Sequence, residues 1–456
     1  MATRHVIVGG GPAGMNAIET IRGYDANASI TLISGEPAYA RMALPYYISG
    51  NVPEMQVMTG DDAYYSRLGV TTKFGVRVTG VDSASGAVKL SDGSSVGYDN
   101  LLIATGSSAQ KPSILGADGA GVYNLWTIDD ARKTVASMKS GAEVAFIGAG
   151  FIGFIILNAM YKLGAKLHVI EVENQVLPRM LDAQGASLVR SWLNQRQVTS
   201  HTGARVNEIV HNGNKKTLKL SDGSTVQADI VIVATGIKTN IDFLQGSGVK
   251  TNQGVLVDNH CRTNIANIYA AGDVAEGPDL STGGQAIHAI QPTAVDHGRI
   301  AGANMAGQHI AYPGSLLMNI LDVCGLQCAS FGLWKGEGLE TTITVNAVRP
   351  VYRKLIWKGD KLVGAILLGP ADDVAMLNDM GMIKGLIQTG TALGAWKRHI
   401  EENPTDIRRP YVATKTAEKL LALTALGKPA AHRAYRSAQD TPKERGAHAV
   451  LVGSKG

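Results

Sequence analysis

His5-Val6-Ile7-Val8-Gly9-Gly10-Gly11-Pro12-Ala13-Gly14 and Val144-Ala145-Phe146-Ile147-Gly148-Ala149-Gly150-Phe151-Ile152-Gly153 share one grammar. Each is a short apolar run that closes on a Gly-x-Gly-x-x-Gly turn and opens into a helical stretch. A second strand then leads to an acid: Ile30-Thr31-Leu32-Ile33 runs to Glu36, and Leu167-His168-Val169-Ile170 runs to Glu171. In such a turn the first glycine permits the bend and the second lets the backbone approach a pyrophosphate. The third allows the helix to pack on the strand. The pyrophosphate then meets unpaired N–H groups and the positive end of the helix dipole. One such turn also occurs without a ligand; two copies, each with strand, helix and acid in place, predict two dinucleotide sites.

Glu36 and Glu171 are placed to accept hydrogen bonds from a ribose diol, and each repels a 2′-phosphate. FAD at the first site, with NADH rather than NADPH at the second, is the expectation. Gly9, Gly11, Pro12, Ala13, Gly14 and Glu36 are the first candidate FAD contacts. Gly148, Gly150, Phe151, Ile152, Gly153 and Glu171 are their NAD counterparts.

The duplication extends across whole domains. Leu101-Leu102-Ile103-Ala104-Thr105-Gly106 and Ile230-Val231-Ile232-Val233-Ala234-Thr235-Gly236 are strands closing on the same tripeptide. A Ser-Asp-Gly-Ser turn precedes each, at residues 91–94 and 221–224, suited to a hairpin beside a parallel sheet. Ala104, Thr105 and Gly106 join the FAD set, and Gly236 joins the NAD set. Further on, Asn267-Ile268-Tyr269-Ala270-Ala271 is a strand ending in Gly272-Asp273, and Gln291-Pro292-Thr293-Ala294 opens a helix, with Pro292 suited to its first position. Beyond about residue 315 the pattern becomes antiparallel, with 352–357 and 362–368 joined by Lys358-Gly359-Asp360-Lys361.

Composition narrows the class. A chain of 456 residues with 45% apolar and 18% charged residues is globular and long enough for several domains. The net charge of +5 is modest and the basic residues are spread out, so nucleic acid is not an expected partner. Cys261, Cys324 and Cys328 fit neither a disulfide framework nor a four-ligand zinc site, so no metal is expected, and Cys324 and Cys328 read as small buried thiols. A reducing cytoplasm suits them. The most membrane-like stretch, residues 144–160, is short for a span and reads as strand, turn and helix. From Asn403 onward basic residues outnumber acids, including Arg408, Arg409, Lys415, Lys419, Lys428, Arg433, Arg436, Lys443 and Arg445. Such a run is either a solvated tail or helix, or a docking arm for an acidic partner.

With these motifs in order, the chain resembles the FAD/NAD(P)-dependent pyridine nucleotide-disulfide oxidoreductase family, which includes NADH oxidases, coenzyme A disulfide reductases, rubredoxin and ferredoxin reductases and nitrite reductase flavoprotein subunits. The resemblance implies that Asp273 binds the ribityl chain. It also implies that the helix beginning near Pro292, Thr293 and Ala294 faces the flavin N1 and O2 edge, where its dipole stabilises the anionic reduced ring. Thiol-dependent members carry one cysteine before Gly-Leu-Pro-Tyr; here the segment reads Arg41-Met42-Ala43-Leu44-Pro45-Tyr46. A thioether forms no thiolate or mixed disulfide, so the resemblance points to the electron-transfer branch. Met42 and Pro45 are then expected over the isoalloxazine, with Arg41 on the FAD phosphate or flavin, and no side chain acts as acid, base or nucleophile. Where many relatives have a glutamate in the second turn's helix, this chain has Ile155.

The expected fold is α/β: two Rossmann-like dinucleotide-binding domains, for FAD and NAD, plus an α+β C-terminal domain. The boundaries are 1–112 and 252–315 for the FAD domain, 113–251 for the NAD domain, 316–402 for the C-terminal domain and 403–456 for a basic extension. The expected function is FAD-dependent NADH:acceptor oxidoreduction. Hydride passes between NAD(H) and FAD, and single electrons pass between FAD and an iron–sulfur protein partner, since the chain has no cysteine set for its own cluster. The long tail resembles flavin subunits of multi-subunit 2-oxoacid:acceptor oxidoreductases such as phenylglyoxylate dehydrogenase, which implies a hetero-oligomer; a homodimer is the other assembly. A self-sufficient NADH oxidase or small-molecule reductase, and a flavin-carrying structural subunit with a vestigial NAD site, are the alternatives.

Overall fold

The computed structural model describes residues 2–346 and 348–422. Strands that the sequence writes as unbroken apolar runs become the middles of two parallel sheets, because helices cover one face of each and a three-stranded antiparallel sheet covers the other, leaving no wet side. The first sheet orders Ile268–Ala270, Asn100–Ile103, Arg4–Val8, Ser29–Ser34 and Val70–Phe74, all parallel. The second orders Val122–Tyr123, Ile230–Val233, Glu143–Ile147, Lys166–Glu171 and Thr199–Thr202, again parallel. In both, the strand before the glycine turn is central, so each turn emerges at the carboxyl edge where ligands bind in such sheets.

The repeat reaches individual hydrogen bonds. In the hairpin turn at residues 91–94, Asp92 Oδ1 accepts from Ser94 N–H at 2.9 Å and Ser94 Oγ–H at 2.7 Å. In the turn at 221–224, Asp222 does the same for Ser224 at 3.0 and 2.7 Å. These Asx turns close antiparallel hairpins beside each parallel sheet. The chain leaves and re-enters the first domain along one short ladder, Ser107–Ala109 against Ile237–Thr239, which ties the two crossings together.

The helix Pro12–Tyr24 crosses the helix Gln291–Met305 with almost no gap. A Cβ on Gly298 lies 2.2 Å from Ala13 O, and one on Gly302 lies 2.7 Å from Ala17 O, so only glycine admits the approach. This crossing sets the start of the later helix beside the first glycine turn. Pro292 stands second in that helix, still within the turn whose N–H groups have no intrahelical partner.

The apolar stretch at 144–160 is mostly buried, as strand, turn and helix. Its helix, Phe151–Lys162, lies between the second sheet and the C-terminal domain, packing Phe154 and Leu157 with Leu321 and Val323. No helix among the described residues is long and apolar enough to cross a membrane.

The C-terminal sheet is antiparallel, in the order Met318–Val323, Leu326–Gly332, Lys361–Pro370, Val351–Lys358 and Glu340–Asn346. Alternation divides its faces: Ile366 and Leu368 pack toward the second domain, while Ala365 and Leu367 pack under the helix Val374–Gln388. Residues 403–422, expected within a basic extension, fold onto this layer. Ile407 and Tyr411 join its core beneath Ile383 and Leu386, and Arg353 Nη1 donates to Pro404 O at 2.8 Å. Arg408, Arg409, Lys415 and Lys419 are exposed on these helices. Lys428, Arg433, Arg436, Lys443 and Arg445 lie outside the described residues.

Candidate functional site

Both glycine turns open on one cavity of about 1210 Å³. Pro12, Arg41, Met42, Pro45, Asp273 and Ala294 wall its first end. Gly148, Gly150, Phe151, Ile152, Glu171 and Gly236 wall the second. Such a volume lies at or above the upper end for a small-molecule pocket, about 300–1,000 Å³, as a chamber shared by two nucleotides requires.

The glycines divide by role. A Cβ on Gly9 lies 2.1 Å from Ala104 O, one on Gly14 lies 2.0 Å from Gly9 O, and in the second turn Gly148 meets Ala234 O at 2.4 Å and Gly153 meets Gly148 O at 2.9 Å. These four are held by the protein's own backbone. A Cβ on Gly11 or Gly150 meets nothing within 4 Å. The middle glycine of each turn therefore presents bare backbone to open space ahead of a helix N-terminus, which fits a pyrophosphate in both domains.

The paired acids differ in surroundings. Glu171 is 7% exposed, with Oε2 accepting Ala149 N–H at 2.7 Å and Oε1 accepting Glu173 N–H at 2.9 Å. It braces the turn, and each carboxylate oxygen keeps lone-pair capacity for a further donor such as a ribose hydroxyl. Glu36 instead accepts from Tyr39 Oη at 2.9 Å and Arg41 Nη2 at 3.0 Å. Arg41, expected on a phosphate or flavin, is turned toward Glu36 and also donates through Nη1 to Trp126 O. Its guanidinium lies over the rings of Trp126 and Tyr39 at 5.0 and 5.5 Å.

Asp273 follows the strand Ile268–Ala270 and accepts from Ser107 Oγ at 3.0 Å. Burial raises its pKa above the ordinary carboxylate range, an environment made for a hydrogen-bonded polar ligand rather than bulk water. Gly272 takes a φ of +78° to bring Asp273 there, with its missing Cβ 3.1 Å from that of Ala13. Thr105 is tied by reciprocal bonds to Asn240, Oγ1 to O at 2.9 Å and Nδ2 to O at 2.8 Å, so Ala104, Thr105 and Gly106 form a joint behind the cavity. Thr293 is buried, and neither it nor Pro292 lines the chamber.

Met42, 45% exposed, and Ile155 both wall the chamber, so thioether and alkyl groups stand at the two positions where a thiol and an acid were the alternatives. The cysteines are elsewhere: Cys261 lies under the first sheet, Cys328 in the C-terminal sheet and Cys324 in the turn between that sheet's first two strands, all buried and unpaired. Burial pushes the Cys324 thiol up to about 12 and raises the other two well above the ordinary range. Native protein incubated with iodoacetamide at neutral pH is expected to remain unalkylated by intact mass until denaturant is added. Rapid labelling of any of the three without denaturant contradicts this. Sequence reasoning missed Trp126, Ser107 and Asn240; only the indole of the first carried a hint, as a rare residue just ahead of a helix.

Residues 3–298 match the family model described as pyridine nucleotide-disulphide oxidoreductase, and residues 318–385 match the rubredoxin NAD+ reductase C-terminal domain. The epsilon subunit of NADH-dependent phenylglyoxylate dehydrogenase from Aromatoleum evansii is 30% identical over 419 residues, 90% of this chain and 97% of that one. The assimilatory nitrate reductase electron transfer subunit of Bacillus subtilis is 28% identical; 82% of this chain aligns with 49% of it, so the chain spans about half that relative's length. Among solved structures, a NAD-dependent persulfide reductase from A. fulgidus matches with a TM-score of 0.79 at 30% identity, covering 86% of this chain and 78% of that one.

Proposed function

This chain belongs to the pyridine nucleotide-disulphide oxidoreductase family, and on that premise we propose that it is a thiol-free FAD-dependent NADH:acceptor oxidoreductase serving an iron–sulfur partner within a larger redox complex. It is an NAD(P)H-dependent flavin oxidoreductase by family, with FAD and NAD(H) as its cofactors. FAD, when bound, supplies a centre that exchanges hydride with nicotinamide and electrons one at a time with an iron–sulfur group.

The chain's own residues bind, orient and exclude water. Bare backbone at Gly11 and Gly150 receives the two pyrophosphates, and the first helical turns, after Pro12 in one and from Phe151 in the other, supply N–H groups. Asp273 holds the ribityl hydroxyls and Glu171 the NADH ribose. Met42, Pro45 and Ile155 give the chamber an apolar wall that keeps water from the reacting rings. The observation that carries the reading is that one chamber joins both turns while every thiol is buried elsewhere. The names of two relatives support the electron-transfer role: one is an NADH-dependent dehydrogenase subunit and the other an electron transfer subunit.

The test compares acceptors. With NADH, the reduction rate of a purified rubredoxin or [2Fe–2S] ferredoxin under argon is expected to exceed the rate of oxygen consumption in a separate aerobic assay by at least about tenfold, a difference of about 1.4 kcal/mol in barrier. Oxygen turnover as fast as reduction of any iron–sulfur acceptor identifies a self-sufficient oxidase instead.

A further inference from the structure

Four of the site's connections meet at Trp126. The residue follows the strand Val122–Tyr123 of the second sheet and precedes Thr127, which forms a capping box with Asp130 at the start of the helix Ile128–Ser137. Asp130 Oδ2 accepts its backbone N–H at 3.0 Å, and its indole Nε1–H donates to Ser107 O at 2.8 Å. Its carbonyl accepts from Arg41, whose guanidinium lies 5.0 Å from the ring centre. From these neighbours the network runs outward, through Arg41 to Glu36 at 3.0 Å and through Ser107 Oγ to Asp273 at 3.0 Å. The backbone is bent to reach this arrangement: buried Leu125 takes a φ of +47°, a left-handed conformation unfavourable for leucine. Trp126 itself lines the chamber beside Arg41 and Met42.

Glu36 and Asp273, the acids at the two ends of the expected FAD site, are thus joined through one residue of the inserted domain, by its carbonyl and ring on one side and its indole N–H on the other. We propose that Trp126 is a positioning residue that holds Arg41 and the Ser107–Asp273 pair in one frame, and so sets both the affinity for FAD and the electrostatic surroundings of its ring. The inference rests on the reading that FAD occupies the first glycine turn. A stacked guanidinium keeps its charge in a fixed plane, so its field at the chamber is constant rather than averaged over rotamers. The indole N–H is the one donor that fastens this plane to the strand carrying Ser107.

Trp126→Phe keeps a ring for Arg41 but removes the N–H; Trp126→Leu removes both. On the holoprotein, the FAD dissociation constant is expected to rise about tenfold in the first, the scale of one lost hydrogen bond, and further in the second. The flavin midpoint potential and visible band are expected to move in both variants. Ser107→Ala, which cuts only the link to Asp273 and leaves the carbonyl that receives the indole, should shift the potential with little change in melting temperature. It keeps the test intact if Trp126→Leu does not fold. Unchanged affinity, potential and spectrum in Trp126→Phe and Ser107→Ala overturn the inference, as does a lowered melting temperature with those three unchanged. A wild-type protein that neither carries nor takes up FAD overturns the underlying reading, and the inference with it.

Discussion

Gly148→Ala is expected to cost the second domain its nucleotide and much of its stability, while Gly150→Ala, two residues on, costs the nucleotide alone. At Gly148 a Cβ falls 2.4 Å from Ala234 O and the φ is +102°, so alanine meets both a backbone clash and a conformation closed to it. Overpacking and strain each cost about 1–3 kcal/mol, which together should lower the melting temperature by at least about 5 °C. At Gly150 the φ is −84° and a Cβ meets nothing within 4 Å. Alanine is comfortable there, yet its methyl stands where the pyrophosphate must approach, so the NADH dissociation constant should rise at least about tenfold with the melting temperature unchanged. Equal thermal loss in the two variants, or wild-type NADH binding in Gly150→Ala, contradicts the division of roles.

The second large effect concerns Glu171. Wild-type protein should be reduced faster by NADH than by NADPH, and Glu171→Ala should lose most of that preference. The carboxylate repels a 2′-phosphate and offers lone pairs to a ribose diol, and alanine does neither. The change also strands the N–H groups of Ala149 and Glu173, both now bonded to Glu171, at about 1–3 kcal/mol for each left unsatisfied. Weaker binding of both nucleotides is therefore expected alongside the narrowed ratio. Stopped-flow reduction rates with each nucleotide separate the two effects: a preserved ratio with uniformly weaker binding leaves Glu171 a brace for the turn and nothing more.

The two dinucleotide folds were legible because their signals are local. A strand, a glycine turn and a helix lie within some twenty residues, and the Ser-Asp-Gly-Ser hairpins repeat down to the same Asx hydrogen bonds. The antiparallel pair around Gly359 was legible from alternation and a turn. What could not be read was contact across the chain. Trp126 reaches Arg41 over 85 residues, and Thr105 reaches Asn240 over 135, distances at which spacing carries no information. Arg41 shows the same limit: the sequence offered FAD phosphate or the flavin as its partner, and the contacts to Glu36 and an indole that the fold adds could not be read from it. For residues 403–422 the packing of one face was missed for a different reason. Their exposed Arg408, Arg409, Lys415 and Lys419 dominated the composition, whereas Ile407, Tyr411 and Leu420 turn inward; a helical-period count would have found that stripe.

The most direct test of thiol-free flavin chemistry is an anaerobic reductive titration of the purified protein, followed by visible absorbance. A single two-electron equivalent of dithionite, or of NADH, should bleach the flavin fully, with no long-wavelength thiolate-to-flavin band at any point, because Met42 stands at the chamber and Cys261, Cys324 and Cys328 are buried away from it. Uptake of a second two-electron equivalent, with a charge-transfer band that alkylation abolishes, means that a cysteine exchanges electrons with the flavin and contradicts the account.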